Sequence, residues 1–448
     1  MRGDQLLELS PYFVLAILFV LPFVDPRRPF RLLHLDVLVL SGFGLYSIAL
    51  LDRGPIFASI RWSTVIAAVG LLYILVRSGY AVLRPAPVES GELTWVPLRW
   101  LKWGIVVLMA FRLLFPFADD RLVIDVGLAS VAGAEQILAG EDLYGAESYK
   151  HPELHPDTYG PVNYLLYVPF AWAIDSAQHA ARAATNAFDL ATLASVILLG
   201  WRLGGRRHGR SLGLLLGYAW ATSPYAFFAS VWAYNDMLVP LAIVCALLGV
   251  SSPWARGTSL GIGAAIKFVP ALVWPLILCA PGGTLRTRIA AGIGSVALAL
   301  ALFALFIPDG GVRELYDRTV GWQLSRDSTI SLWGQFGAIT PFRSVAVGLV
   351  AMLALLGGVP ARRLAIVQLV AYATAVIVAF ELSLAHWLPS YIVWFAPLFL
   401  VTVLGAGTPG KLSGDEEPGR PASNREAEQG RADPDDRPVS PGTIAEHG

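Results

Sequence analysis

Long apolar runs, separated by short polar and often basic breaks, fill the chain from residue 6 to residue 404. A helix needs about 20 apolar residues to cross the hydrocarbon of a bilayer, with a range of roughly 17–25. By that measure the runs 6–24, 34–51, 62–83, 98–118, 186–203, 211–231, 237–250, 289–307, 343–358, 364–382 and 388–404 predict spanning helices. Two further runs fit the template poorly. Residues 161–174 are short and contain Pro161 and Pro169, and 258–280 is interrupted at "IKFVP", Ile266 to Pro270.

The basic breaks decide how these two runs are placed, because Lys and Arg collect on the cytoplasmic side. They are "DPRRPFR" (Asp25 to Arg31), Arg99 with Lys102, "WRLGGRRHGR" (Trp201 to Arg210), Arg286 with Arg288, and Arg362 with Arg363. All lie on one side only if neither doubtful run crosses as a single helix. Residues 161–174 are then expected to lie on, or dip into, the outer leaflet, which makes 119–185 one external region. Residues 258–280 are expected to form a hairpin or a broken helix, tolerated at membrane depth only where it packs in protein or lines a cavity. Lys267 should therefore face a polar environment. The loop "WAYND" at 232–236 and the stretch 308–342 complete the external elements. Residues 406–448 carry almost nothing apolar, cannot bury enough surface to fold, and predict a disordered cytoplasmic tail.

Composition agrees with this pattern. Only 15% of the 448 residues are charged and 55% are hydrophobic, against roughly 25% charged in soluble domains. Mean hydropathy is +0.59. The expected class is an all-α polytopic membrane protein with interfacial helices on its external side. Net charge is zero, which gives no footprint for nucleic acid. Cys245 and Cys279 sit in apolar segments and read as buried thiols, not as a disulfide or a metal pair. The first apolar run lacks a basic leader and a cleavage site, so it reads as a span and not as a signal peptide. No repeat between the two halves is evident, in contrast to many secondary transporters.

The external stretches hold the candidate chemistry. "IDVGLASVAGAEQILAGEDLYG" (Ile124 to Gly145) follows the span 98–118 and places Asp125 at the start of an amphipathic helix that Gly140 should end. Asp119 and Asp120 precede it, beside Arg121. The chain then reaches "HPDTYGPV", Asn235 and Asp236 in "WAYND", Lys267 in "IKFVP", "SRDSTISLWGQF" (Ser325 to Phe336) and "SLAHWLPSYIVWFAPL" (Ser383 to Leu398). A lysine at membrane depth costs at least about 2.5–3.5 kcal/mol on insertion scales and so needs a partner. Lys267 reads equally as a contact for an anion and as one half of a structural ion pair.

In order and spacing these stretches resemble the polyprenol-phosphate-mannose-dependent mannosyltransferases of the GT-C superfamily of membrane glycosyltransferases. The likeness runs from about residue 98 to 405. It includes an aspartate after an early span, an apolar helix ending in glycine, an "LY" pair, and a Gly-rich helix before Lys-x-x-Pro. Gly160 stands where that family has the first proline of "YPP". Residues 1–97 look additional to the family core. The resemblance implies a GT-C-like bundle of about 11–13 transmembrane helices in the plasma membrane, with its site facing the exterior. It implies an inverting transfer of a hexose, mannose first, from a polyprenyl-phosphate donor to a lipid or glycan acceptor, with no nucleotide, metal or other cofactor. Asp125 matches the family's catalytic aspartate, with Asp119 and Asp120 as candidate acidic partners. Lys267, His386 and Arg326 are candidates for the donor phosphate, ahead of Arg313 and Arg318, while Tyr144, Tyr159, Asn235, Asp236 and Trp333 are candidates for substrate contact.

A transporter or flippase is the chief rival. It would place acidic residues at mid-membrane, whereas here they lie at the external edge. An O-antigen-type polymerase or ligase would depend on external Arg and His without an Asp-led first loop.

Overall fold

A computed structural model of the chain describes residues 3–25, 28–53, 60–84, 93–118, 123–145, 149 and 155–405. Asp119, Asp120 and the tail 406–448 lie outside the described residues. Helices make up the described fold, and no strand occurs among them. In chain order they are α1 (Gly3–Val20), α2 (Leu32–Arg53), α3 (Ile60–Leu83), α4 (Leu98–Ala118), α5 (Asp125–Ala139), α6 (Pro161–Ala173), α7 (Ala177–Thr222), α8 (Pro224–Val231) and α9 (Leu238–Leu248). They continue as α10 (Pro253–Ala264), α11 (Trp274–Cys279), α12 (Leu285–Ala304), α13 (Gly311–Tyr316), α14 (Trp322–Ser325), α15 (Leu332–Gln335), α16 (Arg343–Leu356), α17 (Ile366–Ser383) and α18 (Ile392–Leu404). Among the described residues, six helical stretches are long and apolar enough to cross a membrane and five more are apolar but shorter. The chain is an all-α polytopic membrane protein.

Local chemistry sets several boundaries. Pro161, Pro224 and Pro253 open α6, α8 and α10, where a missing N–H costs no helical bond. Ser176, Ser252 and Thr284 cap α7, α10 and α12 by accepting backbone N–H groups through their hydroxyls. Gly140 ends α5 at φ 72°, as its position predicts. The expected spans 186–203 and 211–231 are the arms of one helical hairpin. It begins earlier than the apolar run, at Ala177, and turns at Gly205 (φ 57°, ψ −155°), a conformation open to glycine alone. The expected span 237–250 proves short, Asn235–Leu248. Cys245 and Cys279 are free thiols, only half-buried.

The doubtful run 258–280 is a hairpin. Arg256, near the start of α10, donates to the carbonyls of Val250 and Leu278, and also to Pro281 (2.9 Å) and Gly282 (3.3 Å). One guanidinium thus ties the beginning of α10 to the end of α11, and both arms return to the same end. Other contacts extend that end: Arg202 donates to the Leu248 carbonyl and Gln368 to that of Val82 (2.8 Å). Arg202, Arg256 and Arg288 therefore gather at one end of the bundle.

Inside the bundle, Arg112 of α4 and Asp189 of α7 form an ion pair at 2.6 Å with both side chains fully buried. Trp220 donates to the same carboxylate (2.8 Å), and Arg112 donates to the Trp220 carbonyl (2.7 Å). This network locks α4 to both arms of α7. Large apolar side chains such as Leu114, Ile293 and Leu355 are exposed on α4, α12 and α16, the faces expected to meet lipid.

Candidate functional site

At the end opposite the basic breaks, three loops and the hairpin tip converge. The Ile124 N–H donates to the Trp232 carbonyl (3.1 Å), which docks the start of α5 on the "WAYND" turn. The Gly160 N–H donates to the Ile266 carbonyl (3.2 Å) and the Val162 N–H to that of Ala265 (3.0 Å). These bonds seat α6 on the hairpin tip. They also explain Gly160 itself. Proline has no N–H to give here, and a Cβ would collide with the Ala265 carbonyl.

Asp125 is the first residue of α5 and is exposed. Its carboxylate accepts the Val126 N–H at 2.8 Å, a local bond that uses one oxygen. Asp236 is its opposite, only 2% exposed and paired with Lys267 at 2.5 Å. Trp394 of α18 donates to the same Asp236 oxygen (2.9 Å). Lys267, with 11% of its side chain exposed, lies 5.1 Å from the Tyr159 ring centroid and 5.8 Å from that of Trp394. The polar environment expected around Lys267 is therefore the Asp236 carboxylate, with two aromatic rings beside the ammonium. Asn235 is fully buried and donates to Asn163 (3.1 Å) and Ser130 (3.2 Å). Neither Asn235 nor Asp236 caps α9 through its side chain.

Tyr144 lies beneath this layer and its hydroxyl donates to the Tyr159 carbonyl at 2.8 Å. Burial, then the Asp236 charge, holds the Tyr159 phenol well above its ordinary value, so it stays a neutral donor. His386 places Nδ1 3.2 Å from the Asp327 carbonyl, which makes Nδ1 the protonated nitrogen and leaves Nε2 an acceptor. Nε2 is buried without a partner among the described residues. Burial, followed by the Arg326 charge, holds the imidazole below its ordinary value. The loop that carries Arg326 is docked beside His386, since the Ser328 N–H also donates to the Ala385 carbonyl (3.0 Å). Trp333 pins the late loop to α17 by donating to the Leu382 carbonyl (2.9 Å).

The structure thus gathers Asp125, Tyr159, Asn235, Asp236, Lys267, Arg326 and His386 at one end. Tyr144 and Trp333 support them from behind. Arg318 stands apart with its fork already engaged, at 2.7 Å from both Asp157 and Glu314. Glu381, close to His386 in sequence, accepts from Trp387 instead (3.0 Å). Ser130, Asn163 and Trp394 escape sequence reasoning. Their only signal is a polar atom in an apolar helix, and Trp394 looks like any interfacial tryptophan.

The family model for glycosyltransferase family 87 matches residues 158–389, more than half of the 448-residue chain. A polyprenol-phosphate-mannose-dependent alpha-(1-2)-phosphatidylinositol mannoside mannosyltransferase of Mycobacterium tuberculosis is 27% identical over 189 residues, 39% of this chain and 43% of that protein. The similarity therefore spans less than half of that relative's length.

Proposed function

Because the chain belongs to glycosyltransferase family 87, we propose that it is an inverting membrane hexosyltransferase using a polyprenyl-phosphate sugar, with mannose as the first candidate. The relative named for that donor supports the choice. The acceptor is a lipid or glycan, and the site opens on the external face of the plasma membrane, opposite the basic breaks. Residues 98–405 form the catalytic core in this proposal, with 1–97 as added helices and 406–448 as a cytoplasmic tail.

One observation carries this function. The exposed Asp125 carboxylate opens a helix docked on the 232–236 turn, through the Ile124 N–H to the Trp232 carbonyl (3.1 Å), so an open carboxylate stands on the same turn that holds the Asp236–Lys267 pair (2.5 Å). The acceptor hydroxyl oxygen attacks the anomeric carbon while Asp125 takes its proton, a role that needs an exposed carboxylate within hydrogen-bond reach. The bond from the anomeric carbon to phosphate oxygen breaks, and its electron pair leaves with polyprenyl phosphate. Arg326, with Lys267 behind it, stabilises that departing charge, and the Tyr159 phenol donates to it. His386 is neutral near pH 7, so its Nε2 suits a sugar hydroxyl as acceptor better than an anionic phosphate. Asn235 and Asp236 set the floor on which Lys267 and Tyr159 stand. Arginine and lysine provide the positive charge in this scheme, which needs no metal.

The test is transfer from a labelled polyprenyl-phosphate hexose by purified protein in nanodiscs, with and without excess chelator. Transfer that persists in chelator supports the scheme, and its loss there rules out metal independence. No transfer from any polyprenyl-phosphate hexose to lipid or glycan acceptors sinks the donor assignment. For sidedness, Ser325→Cys in a background lacking Cys245 and Cys279 should react with an impermeant thiol reagent in intact cells. Protection of that cysteine would invert the topology.

A further inference from the structure

Beside the converged residues lies a cleft of about 450 Å³ that the chemistry above does not use, lined mostly by polar and charged residues and walled by 155–158 on one side and 310–322 on the other. Its charges are compensated from within. Arg318 is held between Asp157 and Glu314, each at 2.7 Å, and Arg313 lies 3.9 Å from Asp317. An anion entering here would compete with carboxylates already in place. A neutral ligand rich in hydroxyls would instead find both acceptors and donors, since each carboxylate oxygen keeps spare lone pairs and the guanidinium keeps spare N–H groups. The cleft also has an aromatic wall. The His155 ring centroid lies 3.8 Å from that of Trp322 at an interplanar angle of 31°, so His155 covers one face of the indole and braces it, and the opposite face is the one left for a ligand. His155 adopts φ 45°, an uncommon left-handed conformation for a residue with a side chain. Carboxylates, an arginine and an indole face together suit a sugar ring, whose hydroxyls radiate around apolar C–H faces.

The cleft leads to the reacting end along both of its walls. Gln323 donates to the Thr158 carbonyl at 3.5 Å. Beyond it, one wall continues to Tyr159 and the other to Arg326. We infer that this cleft is a subsite for a neutral oligosaccharide, the glycan portion of the acceptor. Trp322 is the stacking platform, and Asp157, Glu314 and Arg318 are the hydroxyl partners. The assignment rests on the glycosyl-transfer function proposed above and adds an acceptor class and a place for it.

Two measurements on the full chain in nanodiscs test it. In the first, neutral gluco-, galacto- and mannotrioses are titrated against wild type and Trp322→Ala without donor, with inorganic phosphate as the charged competitor. In the second, the KM of an alkyl trisaccharide acceptor is compared with that of the matching monosaccharide. At least one trisaccharide should bind wild type. Trp322→Ala should weaken it and raise the trisaccharide KM about five- to tenfold, with a much smaller change for the monosaccharide, and Trp322→Phe should restore most of the difference. If Trp322→Ala melts early, the comparison passes to Arg313→Ala, since Arg313 also lines the cleft and can donate to a hydroxyl. That side chain is 93% exposed, and about a twofold rise in the trisaccharide KM is expected. Absence of trisaccharide binding to wild type, no effect of the substitutions, or displacement by phosphate overturns the subsite. The binding measurement needs no turnover. Trp322-dependent binding without any transfer would leave the subsite standing and remove the catalytic function; transfer indifferent to Trp322 and Arg313 would do the reverse.

Discussion

Two aspartates stand at the same end of the bundle and live in opposite environments. Asp125 opens α5, is exposed, and accepts the N–H of its own neighbour Val126. Asp236 is buried, with a lysine and an indole on the same oxygen. A carboxylate that must take a proton from an incoming hydroxyl needs an open oxygen, whereas one that must hold a lysine at membrane depth needs its charge fully engaged. Under the proposed function the contrast separates a reacting group from the frame that positions its surroundings, although the two residue types are identical.

Substitutions can break or sharpen this contrast. Asp125→Asn removes the base without leaving a buried charge. It should lower kcat by about 10²–10⁴ and keep stability within about 0.5 kcal/mol of wild type, read by transfer assay and thermal unfolding. Near-normal turnover would end the catalytic assignment. Lys267→Ala should act in the opposite way, on the fold first. It strands Asp236 without a counter-ion, at a cost of about 3–5 kcal/mol, and the double change Lys267→Ala with Asp236→Ala should recover part of that loss in unfolding experiments. An equal loss in the double variant would show that the pair is not what holds the junction.

Smaller effects sharpen the comparison. Arg326→Gln removes the cation carried by the loop docked beside His386. A fall of about 10²–10³ in kcat is expected, the scale of losing one charge-stabilising group, and a change confined to donor KM would limit Arg326 to ground-state binding. The smallest effect concerns pH. The His386 pKa is depressed in the folded protein, so its contribution to stability is complete above the ordinary histidine value of about 6.5. That contribution is lost as pH falls below this value toward the folded pKa. Wild type should therefore lose more melting temperature between about pH 7 and 5 than His386→Gln does. Parallel curves would mean that His386 is no harder to protonate folded than unfolded.

The match to family 87 begins at residue 158, so Asp125 falls before it and its role rests on where α5 places it. Sequence reasoning reached that aspartate through the resemblance, because its spacing to "AGEDLY" matches the catalytic aspartate of the mannosyltransferases named above. It reached Lys267 because a membrane lysine demands a partner, but it left the partner open. Asp236 became that partner only when the hairpin tip met the "WAYND" turn. Gly160, a departure from the family pattern on sequence alone, acquired a reason from the N–H and the space that the Ala265–Ile266 backbone requires.

By itself, the sequence determined the class and the apolar helices, because hydrocarbon enforces length and apolarity through rules that read linearly. It also marked 258–280 as a broken element, since basic loops on both flanks cannot be reconciled with one crossing. Tertiary structure decided which polar residues serve one another: Arg112 with Asp189, Lys267 with Asp236, Arg318 with Asp157 and Glu314. Those pairings join residues distant in the chain and depend on which helix faces touch. Hydropathy is a property of single segments and carries no information about the partner across the interface.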